Sequence, residues 1–181
     1  MNRKGSILLG LLIVKIIIVF ILLINVFLSK ISNIDSVKAL DSNYNILNPS
    51  ELVKLHKQDA NDVLIATNNY RNNINRNNLV LDDKLSEIAT IRAIEIARNN
   101  NFSHKRPDGS YYSKLFDEYH VISRTSGENI AAGFTDGFDV CIGWKNSKGH
   151  YANMINNTYN KLGVGIYKDN NRTYWVQIFT N

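Results

Sequence analysis

The most apolar stretch of the chain lies at its N-terminus. Residues 6–28 form a run of 23 residues that contains one charge, Lys15, and one amide, Asn25. About 20 mostly apolar residues are enough to cross a bilayer as a helix. Arg3 and Lys4 precede the run, and basic residues favour the cytoplasmic side of a membrane. The pattern predicts an N-terminal transmembrane helix that leaves the rest of the chain outside the cytoplasm.

Two interpretations of this segment remain open. In the first, residues 1–29 are an uncleaved signal anchor, and the long side chain of Lys15 reaches the membrane interface. In the second, Lys15 belongs to the basic start of a signal peptide that is cleaved near Ala39. The anchor is favoured because Ala39 lies eleven residues beyond Leu28, where the apolar run ends. The first predicts a single-pass membrane protein and the second a secreted one.

Residues 30–59 are assigned to a linker. From Ser29 to Asn48 the sequence is polar and rich in Ser, Asn and Asp, without the spacing of a helix or a strand. Pro49 and Glu51 could start a short helix inside this linker.

Helical spacing begins after the linker. One apolar face is formed by four residues at i, i+4, i+7 and i+11, namely Val63, Thr67, Tyr70 and Ile74. Asn61 or Asp62 can cap the start of this helix. A second helix is predicted from a cap at Asp82 or Asp83 to Asn99. Its apolar residues are distributed around the helix, which predicts burial on more than one side.

The segments that follow are shorter. Residues 105–109 predict a turn, because Pro107 fixes φ and Gly109 permits a positive φ. A short helix is expected through Phe116, and another from Asp136 to Asn146.

The C-terminal part of the chain changes to the spacing of strands. Residues 162–167 and 173–179 are two strand-like runs joined by 168–172, a loop of hairpin length. Both alternating faces of the second run are largely apolar, so both need cover. With helices upstream, this predicts an α+β fold for residues 60–181, a three-layer α-β-α sandwich preceded by the transmembrane helix.

Composition and charge narrow the classes of function. The chain has 181 residues with a formal net charge of +5. Residues 1–39 hold five of the 21 basic residues and one of the 16 acidic residues, so the remainder is almost neutral, with 16 and 15. No basic patch for a nucleic acid is visible. The single cysteine, Cys141, excludes a disulfide within the chain.

Candidate chemistry has to be assembled from distant segments, because the sequence contains no HExxH, CxxC or GxSxG motif. His104 precedes the Pro-Asp-Gly turn, and His150 follows a predicted helix. Glu128 lies among glycines and alanines and is interpreted as a turn residue. Each lies beside a glycine or a turn, where functional groups on rigid scaffolds tend to occur.

Several short stretches occur in the order and at the spacing of a known family. They are Asn69-Tyr70-Arg71, Leu81–Ala97, Phe102-Ser103-His104, Pro107-Asp108-Gly109, Gly127-Glu128-Asn129-Ile130, Trp144–His150, Leu162-Gly163-Val164-Gly165 and Tyr174–Phe179. Together they resemble the bacterial branch of the CAP superfamily, the SCP domain of cysteine-rich secretory proteins, antigen 5 and pathogenesis-related proteins. The resemblance covers roughly residues 60–181.

The resemblance implies an α-β-α sandwich with a central cavity that holds two histidines and two acids. His104 and His150 match the histidines, and Glu128 matches one acid. The second acid of many members falls on Ser147 here, so the four-residue site is incomplete.

Three hypotheses about function follow. The favoured one is an extracytoplasmic binding module for a protein, cell-wall or small-molecule ligand. Its His104, His150 and Glu128 would hold a divalent metal, Zn²⁺ first, with Glu128 as a ligand or behind one. The second is a buried polar network with a purely structural role. The third is a hydrolase, with Glu128, His150 and Ser147 as catalytic candidates.

Overall fold

The computed structural model describes residues 48–181. The elements in chain order are α1 Pro49–Leu55, α2 Lys57–Asn72, β1 Val80–Leu81, α3 Asp83–Arg98, α4 Lys114–Glu118, β2 Ser126–Ala132, α5 Gly137–Lys145, α6 Lys148–Met154, β3 Lys161–Asp169 and β4 Arg172–Thr180. The predicted anchor and the cleavage near Ala39 lie outside the described residues. Among residues 48–181, no helix has the length and apolar character needed to cross a bilayer.

The four strands form one sheet in the order β1-β3-β4-β2. β4 pairs antiparallel with β3 and β2, and β1 pairs parallel with β3. Successive β4 side chains alternate between two apolar cores. Trp175 and Phe179 belong to a core with α2, α5 and α6, whereas Val176 and Ile178 belong to a core with α3 and α4. The sheet is therefore covered by helices on both faces, as the two apolar faces of the second strand predicted.

Two glycines of β3 bring α3 unusually close to the sheet. Gly163 and Gly165 alternate with the core residues of β3, so both face α3. A Cβ added at Gly165 would overlap the backbone of Ala89 and Thr90, and one at Gly163 would overlap the backbone of Leu85. Only hydrogen at these two Cα atoms leaves room for the helix.

The starts of α1, α3 and α5 agree with the sequence, and the start of α2 does not. Asp136 caps α5 by accepting from two backbone amides, as the helix predicted from Asp136 to Asn146 implies. Asn48 and Glu51 form a reciprocal capping box that starts α1, and Asp82 caps α3 by accepting from Leu85 N at 3.0 Å. The cap predicted for α2 at Asn61 or Asp62 is wrong. α2 begins at Lys57, directly after the α1 C-cap His56, because the chain turns from one helix into the next.

Both α1 and the first turn of α2 lie inside the range that the sequence assigned to a linker. Leu52 of α1 is buried, and α1 packs on α3 and β3. The hairpin is also tighter than predicted, because β3 extends to Asp169 and β4 begins at Arg172. Asn170 has a φ of 51°, a left-handed conformation that Asn tolerates and that suits a two-residue hairpin turn.

Candidate functional site

Glu128 lies in a strand, and the turn predicted around it is wrong. β2 pairs with β4 along its whole length, and Glu128 lies opposite Ile178. The small neighbours have a packing role instead of a turn role. A Cβ added at Gly127 would lie 2.8 Å from the hydroxyl of Tyr159 and 3.1 Å from Oδ1 of Asn153. The glycine therefore allows close packing on the face opposite Glu128.

The carboxylate of Glu128 is fully buried and uses both of its oxygens. Oε2 accepts a hydrogen bond from Arg92 Nε at 3.0 Å, and Oε1 lies 2.9 Å from His104 Nδ1. The side chains of Glu128 and Arg92 are 0% and 1% exposed. A buried charge is costly unless it is paired and hydrogen-bonded. Here the Glu128 carboxylate and the Arg92 guanidinium are paired with each other.

The guanidinium of Arg92 extends this arrangement beyond Glu128. Nη1 donates to Glu95 Oε2 at 2.6 Å, and Nη2 donates to the backbone carbonyl of Ser103 at 2.8 Å. Arg106 donates from Nε and Nη2 to the other oxygen of Glu95, at 2.9 and 2.8 Å. The charged groups thus alternate in sign from β2 through α3 to the loop that follows it.

His104 belongs to that loop and lies at the surface end of the network. Its side chain is 51% exposed, whereas the Glu128 carboxylate that it contacts is closed to solvent. The hydrogen bond to Glu128 raises the pKa of His104, because the anion favours the protonated imidazole. The imidazole is thus half-exposed, in contrast to the enclosed position that a central cavity would imply.

His150 approaches the same strand from the opposite face. It follows α5, as the sequence predicted, but it is also the third residue of a further helix, α6, which the sequence did not predict. Asn129 donates from Nδ2 to the carbonyl of His150 at 3.0 Å. Burial lowers the pKa of His150, and repulsion from His104 lowers it further. β2 is an edge strand of the sheet, so groups on its two faces can approach each other around that edge.

Ser147 lies at the N-cap of α6 but makes no side-chain capping bond. Within residues 48–181, no hydrogen bond joins its hydroxyl to His150. The Ser147–His150 pair considered for a hydrolase is therefore not in hydrogen-bond contact in this structure.

Of the two roles predicted for Glu128 toward a metal, its contacts are compatible with only one. Glu128 does not fit as a direct ligand, because Arg92 and His104 occupy both oxygens. Among the described residues, no group of three or more His, Cys, Asp or Glu side chains is arranged for a metal ion. Glu128 does fit behind a ligand, since carboxylates commonly accept from the second ring nitrogen of a metal-bound histidine. His104 and His150 are then the two remaining residues that were predicted to bind the metal ion directly.

The sequence missed three residues that hold this site in place. Arg92 lies three and seven residues after the buried Ala89 and Leu85, so it falls on the buried face of α3. A charged residue on a buried helix face was the signal that could have identified it. Asn153 donates to Asn129 Oδ1 at 2.9 Å, and Asn129 also donates to Gln177 at 3.0 Å. These amides were overlooked because Asn is frequent throughout the chain.

The sequence of the chain also matches a family model. The model of the cysteine-rich secretory protein family, CAP, matches residues 64–179. The match includes all the residues of the site described above.

Individual relatives agree with the family match. The uncharacterized membrane protein YlbC of Bacillus subtilis is 34% identical over 70% of this chain, which spans 35% of that protein's length. A Bacillus anthracis extracellular protein containing an SCP domain has a TM-score of 0.66 and 28% identity, with coverage of 76% of this chain and 45% of its own. An outer surface protein of Borrelia burgdorferi has a TM-score of 0.65 and 25% identity, with coverage of 70% and 94%.

Proposed function

Because the chain belongs to the cysteine-rich secretory protein (CAP) family, we propose that it is an exported binding module that takes a divalent cation, Zn²⁺ first, through His104 and His150. The observation that carries the proposal is the hydrogen bond that the buried Glu128 accepts from Nδ1 of His104 at 2.9 Å. A carboxylate on one ring nitrogen fixes the tautomer and makes the other nitrogen a better metal ligand.

Export is supported by the apolar N-terminal run and by the names of similar proteins. Residues 6–28 are long enough to cross a bilayer. The relatives named above include a membrane protein, an extracellular protein and an outer surface protein. We place the domain outside the cytoplasm, held by residues 1–29, or released by cleavage near Ala39. Its ligand there would be a protein, a cell-wall component or a small molecule.

The residues would divide the work of the site between them. His104 and His150 supply neutral imidazole nitrogens, which suit Zn²⁺. Glu128 accepts a hydrogen bond from the Nδ1–H of His104 and so leaves Nε2 for the metal ion. Asn129 holds the backbone of His150 through its carbonyl. A bound cation would supply a positive centre for an oxygen or nitrogen atom of the ligand.

Calorimetric titration with Zn²⁺ tests this proposal on the full chain in detergent at pH 7.5. We expect one equivalent to bind to the wild type and none to the His104→Ala/His150→Ala variant. The matched control is His56→Ala/His120→Ala, which removes the same number of imidazoles outside the site and should bind normally. Equal binding by both double variants would contradict the proposal, as would no binding to the folded wild type.

A structural role for the same residues is the second candidate. It is favoured by the observation that every buried side-chain nitrogen and oxygen of residues 48–181 has a hydrogen-bond partner. Fully satisfied buried networks specify a fold without any ligand. Under this alternative, substitutions at Glu128 would lower the melting temperature, and the wild type would bind no Zn²⁺ in the same calorimetric experiment.

A further inference from the structure

We propose that Arg92 is the positioning residue of this site, because its one buried guanidinium fixes His104 through both the ring and the backbone. Arg92 touches no ligand in this account and acts through the groups that it holds. The inference rests on the proposed function in one respect only, namely that a divalent cation binds to His104. The orientation of the imidazole can be measured without any metal.

The first link reaches the ring of His104. Arg92 Nε donates to Glu128 Oε2 at 3.0 Å, which leaves Oε1 for His104 Nδ1 at 2.9 Å. The guanidinium therefore determines which oxygen faces the imidazole. It also supplies a positive charge beside the buried carboxylate, so that Glu128 can act as an acceptor for the Nδ1 proton.

The second link reaches the backbone of the loop. Arg92 Nη2 donates to the carbonyl of Ser103, the residue directly before His104, at 2.8 Å. The main chain that carries the imidazole is thus tied to the same side chain that positions the carboxylate. Because Arg92 is fully buried in α3, the hydrogen bonds to Glu128 and to the Ser103 carbonyl both come from a side chain on a rigid helix.

The third link stabilises the loop on the other side of His104. Arg92 Nη1 donates to Glu95 at 2.6 Å, and Glu95 accepts two bonds from Arg106, two residues after His104. His104 is therefore held between Ser103 and Arg106, and both connect to Arg92. A lysine cannot replace this fork, because its ammonium is one compact charge on a flexible stem.

The test compares Arg92→Lys with the wild type, as full chains in detergent, by ¹⁵N NMR of the histidine rings at pH 8.5. We expect the wild-type His104 to carry its proton on Nδ1. We expect Arg92→Lys to show a mixture of both tautomers, and its Zn²⁺ dissociation constant to rise about 10- to 100-fold, as for other groups behind a ligand. An unchanged tautomer in Arg92→Lys would overturn the proposal, and so would an unchanged dissociation constant if the wild type binds Zn²⁺.

Arg71→Lys is the matched control. Arg71 is equally buried, but its guanidinium donates to the carbonyls of Asn77, Met154, Asn156 and Tyr159, and to no group that touches His104. We expect this variant to lose stability and to keep the wild-type tautomer of His104. If both variants disturbed His104 equally, loss of packing and not positioning would be the cause.

Two further outcomes separate this inference from the proposed function. If Arg92→Lys does not fold, the wild type still provides a test, because the Arg92 Nε proton should exchange slowly with solvent. Rapid exchange would overturn the positioning role. A wild type with the Nδ1-protonated His104 that binds no Zn²⁺, together with a tautomer mixture in Arg92→Lys, would support the role of Arg92 and overturn the metal proposal.

Discussion

Glu128 joins the two halves of the site at the scale of single residues. One oxygen meets a half-exposed imidazole and the other meets a guanidinium with no access to water. A carboxylate in such a place is stable because both contacts come from positively charged or protonated groups. The same contacts explain why Glu128 is suited to hold His104 and unsuited to bind a metal directly.

Replacing Glu128 with Gln should destabilise the domain. The change keeps the shape of the side chain but removes the anion beside the buried Arg92. Breaking a buried ion pair by removing one partner costs about 3–5 kcal/mol. We expect the lower end, about 3 kcal/mol in urea unfolding, because Glu95 still contacts Arg92.

Glu118→Gln is the control for that substitution. Glu118 pairs with Arg106 at 3.0 Å, but its side chain is half-exposed. Exposed pairs contribute at most about 1 kcal/mol. Equal losses for the two variants would contradict the account of Glu128.

The pH dependence of stability should change when His104 is replaced by Gln. The pKa of His104 is raised in the folded protein by its bond to Glu128, so the folded state binds the proton more tightly than the unfolded state. This stabilisation is complete below the unfolded value of about 6.5 and is lost as the pH rises through the folded pKa. His104→Gln should therefore lower the melting temperature more at pH 5.5 than at pH 9. A larger loss at pH 9 would show that the sign is wrong.

At the scale of elements, the packing of α3 on β3 sets the distance between Arg92 and the sheet. Gly163 and Gly165 let the backbone of α3 lie directly against β3. Arg92 lies on this helix, and Glu128 lies on β2, at the edge of the same sheet. A shift of α3 away from the sheet would therefore lengthen the bond between them.

Gly165→Ala should destabilise the domain by about 3 kcal/mol. This is the upper end of the usual cost of overpacking, because the added methyl group meets helix backbone and not a flexible side chain. Gly149→Ala in α6 is the control, since nothing lies within 4 Å of its added Cβ and φ is not positive. Chemical denaturation of both variants measures the difference. A stable Gly165→Ala variant would contradict the packing of α3 described here.

Elements with strong local signals could be predicted from the sequence, and those with weak signals could not. α3 has a capping aspartate at Asp82, and β4 has a dense run of apolar residues. β2 was missed because its sequence SGENIAA holds one β-branched residue, Ile130, and its strand conformation depends on pairing with β4. α6 was missed because it begins three residues after α5 ends and contains Gly149.

The candidate site could be predicted only in part, because several of its contacts join residues that are distant in the sequence. His104, Glu128 and His150 could be chosen by residue type and by resemblance. Their partners Arg92 and Asn129 are ordinary in sequence, and their roles come from contacts across 36 and 21 residues. Such pairings are determined by tertiary structure and leave little local signal.

At the scale of the whole molecule, export of the domain can be tested with the cysteine chemistry of the chain. The one cysteine, Cys141, is buried, and burial raises its pKa to about 12. It should therefore not react with a maleimide at neutral pH. Ile122→Cys would place a thiol at a position that is 96% exposed.

Intact cells that express Ile122→Cys should be labelled by a maleimide that cannot cross the membrane. The wild type should remain unlabelled under the same conditions, which makes it the control for Cys141. Labelling that occurs only after lysis would place the domain inside the cell and contradict export.

A Zn²⁺ titration of the wild-type chain, followed by the NMR signals of its four histidine rings, tests most directly whether His104 and His150 bind one cation together. We expect the His104 and His150 signals to change together and to stop changing at one equivalent. The His56 and His120 signals should stay in place, which makes them internal controls. A response from all four rings, from His104 alone or from none would contradict a paired imidazole site.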